Sequence, residues 1–243
     1  MYRAFSRPVS VRPVVSAVLS IAALTALPVT SAQAQILLNG GFENPVVSPG
    51  SFQLYGAGQS IGAWTVVGAQ VEVLHRDYSE PMNGVSFFNA QEGSNSLDLT
   101  GAGQTGMTSG VEQRITTNPG QSYTISFFVG RAVSSNGSAF YSDPAVADLR
   151  IDNGARLSFT NANVAPVGQV SWQQFSYEFT ATGSSTLITF LNGTNSNNVN
   201  HVGLDNVSVT TTATATAPEP GTLALLGIVA LPAGIAAVRK RFS

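Results

Sequence analysis

The sequence predicts an all-β sandwich of about ten short strands, jelly-roll in type, with no helical layer. Three observations predict it. Alternating apolar and polar residues recur from residue 36 to residue 209, the period of a strand with one wet face. Clusters of Gly, Asn, Ser and Asp punctuate those runs and supply the backbone freedom and local side-chain bonds that turns need. No stretch in the interval holds a helical apolar period for three turns, and no internal repeat is present.

Taken in order, the expected strands begin with residues 64–67, 70–74, 96–100 and 111–116. Residues 122–130 place Tyr123, Ile125, Phe127 and Val129 on one face. Residues 145–151 and 155–159 flank Asp152-Asn153-Gly154, a tight-hairpin signal because Asn-Gly tolerates positive φ. The cleanest alternation is residues 173–181, where Phe175, Tyr177 and Phe179 interleave with Gln174, Ser176, Glu178 and Thr180. Residues 186–191 and 201–210 complete the set. Ten or so strands over about 175 residues suit a sandwich.

Composition narrows the function. Charged residues are 10% of the 243-residue chain, against roughly 25% in an ordinary soluble protein. Between the two ends only Arg76, Arg114, Arg131, Arg150 and Arg156 are cationic, against twelve acids. An acidic domain repels phosphate backbones, so nucleic acid is excluded as a partner. Cysteine is absent, which removes disulfides, thiolate metal sites and cysteine nucleophiles. His75 and His201 are the only histidines, too few for an imidazole metal cluster.

The two ends are addresses. Residues 1–34 have Arg3, Arg7 and Arg12, an uncharged apolar run from Val14 to Val29, and Ala32-Gln33-Ala34. That order is a secretory signal peptide with cleavage expected after Ala34, rather than an uncleaved anchor or a transit peptide. Residues 35–209 are then the globular domain, and the Thr/Ala stretch 210–217 is a spacer. The last segment, 218–243, opens on Pro218-Glu219-Pro220, continues through the uncharged span 222–238, and closes on Arg239-Lys240-Arg241. Those seventeen residues of helix would span roughly 26 Å, which flanking cations extend toward a ~30 Å hydrocarbon core. The terminal cations put the C-terminus in the cytoplasm and the domain outside.

This tail resembles the PEP-CTERM sorting signal of Gram-negative bacteria, carried by Pro218, Glu219, Pro220, the apolar span, and Arg239, Lys240 and Arg241. The resemblance implies an exosortase-type enzyme as partner, a transient inner-membrane anchor, and a final place at the cell surface or in an extracellular polysaccharide matrix.

The domain resembles the galactose-binding-like β-sandwich modules, especially the DUF642-type extracellular proteins and related carbohydrate-binding modules. The residues that carry this are Asn39-Gly40-Gly41-Phe42-Glu43, Trp64, Ser96-Leu97-Asp98-Leu99 and Gly110-Val111-Glu112-Gln113. It continues through 120–127 and Gly203-Leu204-Asp205-Asn206-Val207. Paired cysteines of the plant members are missing. The resemblance implies a structural calcium held by Glu43 and Asp205, with carbonyls near Asn39 or Gly41. Independently, Asp205 shares strand parity with Val207 and Val209, so its carboxylate is expected on their buried face, paired, hydrogen-bonded or bound to a cation.

No residue set makes an enzyme. Gly58-Gln59-Ser60-Ile61-Gly62 matches a nucleophile elbow, with His201 downstream, but a strand follows where the elbow needs a helix. Gly101-Ala102-Gly103-Gln104-Thr105-Gly106 matches a dinucleotide fingerprint without a βαβ unit. Both read as turns. For polysaccharide contact the candidates are Trp172, Tyr78, Tyr141, Arg76 and His75, rings and polar groups in turn-rich surroundings; Trp64 is expected in the core. A structural module acting through protein contacts, or a secreted hydrolase, are the alternatives.

Overall fold

The computed structural model describes residues 36–102, 108–194 and 199–212. The expected signal peptide and the sorting tail with its apolar span lie outside them. Among the described residues no helix is long and apolar enough to cross a membrane.

The strands are β1 Phe52–Gly56, β2 Ser60–Ile61, β3 Trp64–Val67, β4 Gln70–His75, β5 Asn95–Asp98 and β6 Gly110–Thr116. They continue as β7 Ser122–Ala132, β8 Ala145–Ile151, β9 Leu157–Asn161, β10 Val170–Thr180, β11 Ser185–Asn192 and β12 Val202–Thr211. A short 3-10 turn covers Pro81–Asn83. The strands form two six-stranded sheets, ordered β1-β4-β5-β12-β7-β10 and β2-β3-β6-β11-β8-β9. Every ladder between named strands is antiparallel. The all-β sandwich expected from the sequence is the architecture found.

Alternation explains how the sheets meet. In β7, Tyr123, Ile125, Phe127 and Val129 are buried in the common core, and Val71, Val73, Leu97, Val111, Phe190 and Leu204 meet them from other strands. A run of rings crosses this core. Phe42 stacks on Trp64 at 5.7 Å, Trp64 meets Phe190 edge-on at 6.3 Å, and Phe190 meets Phe127 at 4.8 Å. Trp64 is fully buried, and its indole N–H donates to the Asn39 carbonyl at 2.9 Å. The N-terminal segment is thereby pinned to the sandwich.

Two short strands were not legible in the sequence. β1 is exposed over its first three residues and β2 is two residues long, so neither shows a full alternating period. The β8–β9 turn is present, but its positive φ angles fall on Asp152 (49°) and Asn153 (58°), with Gly154 N–H donating to the Ile151 carbonyl. The turn is thus centred one residue earlier than Asn-Gly suggests. Ser60 lies exposed on edge strand β2, opposite Thr65 of β3, with Gly62 at φ 58° closing that hairpin.

The last strand departs from simple alternation. Asp205 is opposite Phe128 of β7 and Ser208 is opposite Ser126, so one extra residue is accommodated between them, with Asn206 at φ 48°. This bulge switches which residues face inward. Val202 and Leu204 reach the core before it, Val207 and Val209 after it. Asp205 therefore points away from the Val207 face, contrary to the parity expected from the sequence.

The outer face of the first sheet is itself covered. Val85, Phe88, Ala132, Tyr141 and Val170 form a second, smaller cluster, with Tyr78, Trp172 and Val199 packed against it. The connection between β4 and β5 supplies most of that cover.

Candidate functional site

A cavity of about 210 Å³ opens where this cover meets the β1 side of the sheet. Its floor follows from strand parity. Val71 and Val73 of β4 face the core, so Glu72 and Leu74 face outward, and both line the cavity. Leu97 of β5 faces inward, which turns Asp98 outward beside them. Glu72 and Asp98 are direct cross-strand partners. Phe52 of β1, opposite Leu74, forms one rim.

The walls are aromatic. Phe52 meets Tyr78 at 5.2 Å, Tyr78 meets Phe88 at 5.4 Å, and Phe88 meets Tyr141 at 5.7 Å. Glu80 clasps the two loops that bring these rings together. Its Oε1 accepts the Tyr78 hydroxyl at 3.1 Å; its Oε2 accepts Asn83 Nδ2 at 2.9 Å and the Tyr141 hydroxyl at 2.5 Å. Burial and the adjacent Glu80 carboxylate push both tyrosine hydroxyls up, so both remain protonated donors.

The other two carboxyls differ sharply. Asp98 Oδ1 accepts Thr100 N–H at 2.9 Å, the Thr100 hydroxyl at 2.6 Å and Val202 N–H at 3.1 Å. His201 Nδ1 lies 3.2 Å from Asp98 Oδ2, although neither ring nitrogen is aligned for a hydrogen bond. Burial pushes the Asp98 carboxyl up, and the His201 imidazole with the Thr100 donors more than offsets it, leaving it below the ordinary range. Glu72 has no such support. It is 8% exposed; burial first, then the Asp98 and Glu80 charges, push its carboxyl up to about 8.

A second cleft, of about 350 Å³, lies at the bulge and is lined by Gly41, Glu43, Glu92, Gly93 and Asn206. Glu43 Oε1 accepts Ser94 N–H at 2.8 Å and Asn95 N–H at 3.0 Å. Asp205 is fully buried; Oδ2 accepts Gln91 N–H at 2.9 Å and Glu92 N–H at 3.3 Å, and Oδ1 accepts Asn206 N–H at 2.7 Å. Burial raises the Asp205 carboxyl to about 7, the three N–H groups counter it, and the Glu43 charge adds to the rise. A Cβ on Gly41 would sit 3.8 Å from Glu43 Cγ and 3.9 Å from Asp205 Oδ1, and one on Gly93 would meet Glu43 Oε1 at 2.1 Å. The two carboxylates thus converge around glycine backbone that leaves them room. Among the described residues no group of three or more His, Asp or Glu is placed to hold a metal, so an ion here would rest on two carboxylates and backbone carbonyls.

Of the residues the sequence singled out for ligand contact, Tyr78 and Tyr141 share the first cavity. Trp172 does not line it. Its ring lies against Gly130 of the adjacent β7 and Gly203 of β12 beyond it, and its N–H donates to the Asn89 carbonyl at 2.9 Å. It packs the sheet to its cover. Arg76 is exposed, donates to the Gly93 carbonyl at 3.2 Å, and borders a separate shallow groove with Asp77 and Phe87. His75 is buried, on the opposite face of β4 from Glu72, and its Nδ1 accepts Asp77 N–H at 3.1 Å. Sequence reasoning missed Phe52, Glu72, Glu80, Phe88 and Asp98. Only a carboxylate alternating with core residues, as in Leu97-Asp98-Leu99 and Val71-Glu72-Val73, hinted at an outer face that is not simply solvated.

Solved structures are similar to this chain. A Stig cyclase, Fisc, from Fischerella sp. TAU, in complex with (3Z)-3-(1-methyl-2-pyrrolidinylidene)-3H-indole, is 18% identical, with a TM-score of 0.53 over 75% of this chain and 98% of that one. TmCBM61 in complex with beta-1,4-galactotriose is 16% identical, with a TM-score of 0.39 over 74% of this chain and 99% of that one. The CBM22-1 xylan-binding domain of Paenibacillus barcinonensis Xyn10C is 18% identical, with a TM-score of 0.37 over 70% and 99%. No curated protein matches the chain. Residues 35–210 match the family model described as a protein of unknown function, DUF642, and the chain belongs to that family.

Proposed function

We propose that this is an exported, non-catalytic surface or matrix protein whose sandwich binds polysaccharide through the cavity above Glu72 and Asp98. The observation that carries the reading is the combination of aromatic rings and carboxyl acceptors in one small recess. Sugar rings present C–H faces to aromatic side chains and hydroxyl donors to carboxylates. The volume is below the ~300–1,000 Å³ of sites that enclose drug-sized ligands, which suits one sugar unit or a chain end. Polysaccharide pull-down and glycan arrays with the exported chain test it. Phe52→Ala at the rim, where the residue is 39% exposed, should weaken binding about tenfold without loss of fold. Absence of binding by a folded chain to every glycan would instead favour a module working through protein contacts.

The reading includes export by the signal peptide and sorting of the PEP-CTERM-like tail by an exosortase-type partner, with the span 222–238 a transient membrane anchor. Its support is the charge and hydropathy order of the two ends. Intact mass of the native protein should begin at Gln35 and stop near 218–221; a full-length C-terminus retained in the membrane fraction would make the anchor permanent. The reading also includes one structural calcium at Glu43 and Asp205. Support comes from the convergence of two carboxylates around Gly41 and the burial that disfavours Asp205 as a lone anion. The ion would tie the N-terminal segment to the last strand.

A further inference from the structure

Among the described residues that line it, the cavity offers mostly acceptors; the Asn200 amide is its one side-chain N–H donor, and its Nδ2 donates to Asp143 Oδ2 at 3.4 Å. Its lining contains three carboxyls and no Lys or Arg. The hydroxyl protons of Tyr78 and Tyr141 are spent on Glu80. The one neighbouring imidazole, His201, is buried behind Asp98 and faces the Phe88 ring at 5.2 Å. Among the described residues, what the cavity mainly offers a ligand is aromatic rings and carboxyl oxygens.

Glu72 is the group without an internal explanation. Glu80 holds three donors and Asp98 three donors plus the imidazole. Glu72 accepts no hydrogen bond among the described residues, yet it is more than nine-tenths buried and lines the cavity. A buried carboxyl without a donor, beside two other acids, is destabilising in the empty site. A ligand that brings positive charge and several N–H donors removes that cost. An ammonium group does both, and electron-rich ring faces attract it as well. Anionic sugars meet three carboxyls and are repelled. An N-acetylated amine supplies one donor, no charge, and an acetyl group that must fit the same small volume.

We propose that this cavity is a binding site for a compact ammonium group, and that its natural carrier is a hexosamine unit with an unacetylated amine. The first half stands on the cavity alone; the second rests on the polysaccharide reading above. Ligand binding draws Glu72 into its ionised form and releases the proton that burial otherwise keeps on it.

Calorimetric titration of the exported chain with glucosamine oligomers, N-acetylglucosamine oligomers, glucose oligomers and choline separates the possibilities. The expected result is binding of glucosamine oligomers at least tenfold tighter than the acetylated and neutral ones. Glu72→Gln, which keeps volume and removes charge, should abolish that preference while circular dichroism and melting remain those of a folded chain. Equal affinity for acetylated and free-amine oligomers, or a preference unchanged in Glu72→Gln, overturns the ammonium site and leaves polysaccharide binding standing. Binding of choline that depends on Glu72, with no glycan bound, supports the ammonium site and overturns the hexosamine carrier. No binding of any amine overturns both.

Discussion

Glu72 on β4 and Asp98 on β5 are directly registered cross-strand partners on one face of a sheet, and that face is covered. Like charges so placed destabilise a sheet, and here only one of the two is compensated. Glu72 is raised to about 8 from its ordinary 4.5, so the folded state binds a proton that the unfolded state has released. Its contribution is full below pH ~4.5 and is lost as pH rises toward 8. The groups facing it are Asp98 from β5 and Glu80 from the β4–β5 connection. Glu72→Gln should therefore stabilise the chain at pH 8 by on the order of 2 kcal/mol and do little at pH 5. Urea unfolding at the two pH values checks it.

Asp205 and Glu43 predict a calcium-dependent melt. Ion binding to the native form alone adds RT ln(1 + [L]/Kd), about 2.7 kcal/mol at a hundredfold excess. The melting temperature should rise with added calcium and fall with chelator. Asp205→Asn and Glu43→Gln should each remove most of that response. Indifference of the wild-type melt to calcium and chelator, after metal analysis confirms removal, sinks the site and leaves Asp205 as an acceptor of its three N–H groups.

Trp172 predicts a steric test. A Cβ on Gly203 would sit 2.8 Å from its Cη2 and 3.0 Å from the Gly130 Cα. Backbone on one side and a wedged indole on the other leave little room to yield. Gly203→Ala should cost about 1–3 kcal/mol, read as a lower urea midpoint at unchanged m-value. A neutral substitution would mean that Trp172 is free to swing away from the sheet.

How much of this was legible depends on what fixes each feature. The β10 alternation of Phe175, Tyr177 and Phe179 is a property of consecutive residues, and the strand follows it. Burial of Trp64 and the stacking of Phe42 upon it fit the Asn39–Glu43 segment read as a marker of the domain start. The cavity depends on partners instead. Glu72 and Asp98 are 26 residues apart, and only the β4–β5 register makes them neighbours. Tyr78 and Tyr141 were legible as polar rings in turn-rich sequence, while the carboxylate that joins them, Glu80, sits in a turn with no periodic signal. The Asn206 bulge was hidden for a related reason. Period-2 reading assumes an unbroken ladder, and one extra residue reverses the facing of everything beyond it.

That bulge also decides how the domain would carry a mechanical load. Beyond it, Ser208 to Thr211 are held on the ladder side by β7. At Val207, however, the strand also donates to the Gly40 carbonyl at 2.9 Å, where a Cβ on Gly40 would lie 1.8 Å from the Val207 oxygen. A pull on the chain after Thr212 would unzip those few residues and then reach the N-terminal segment, itself anchored through Phe42 and Trp64. Tension entering at the C-terminal end of β12 is thus passed to the N-terminal segment of the domain before it reaches the part of β12 that pairs with β5.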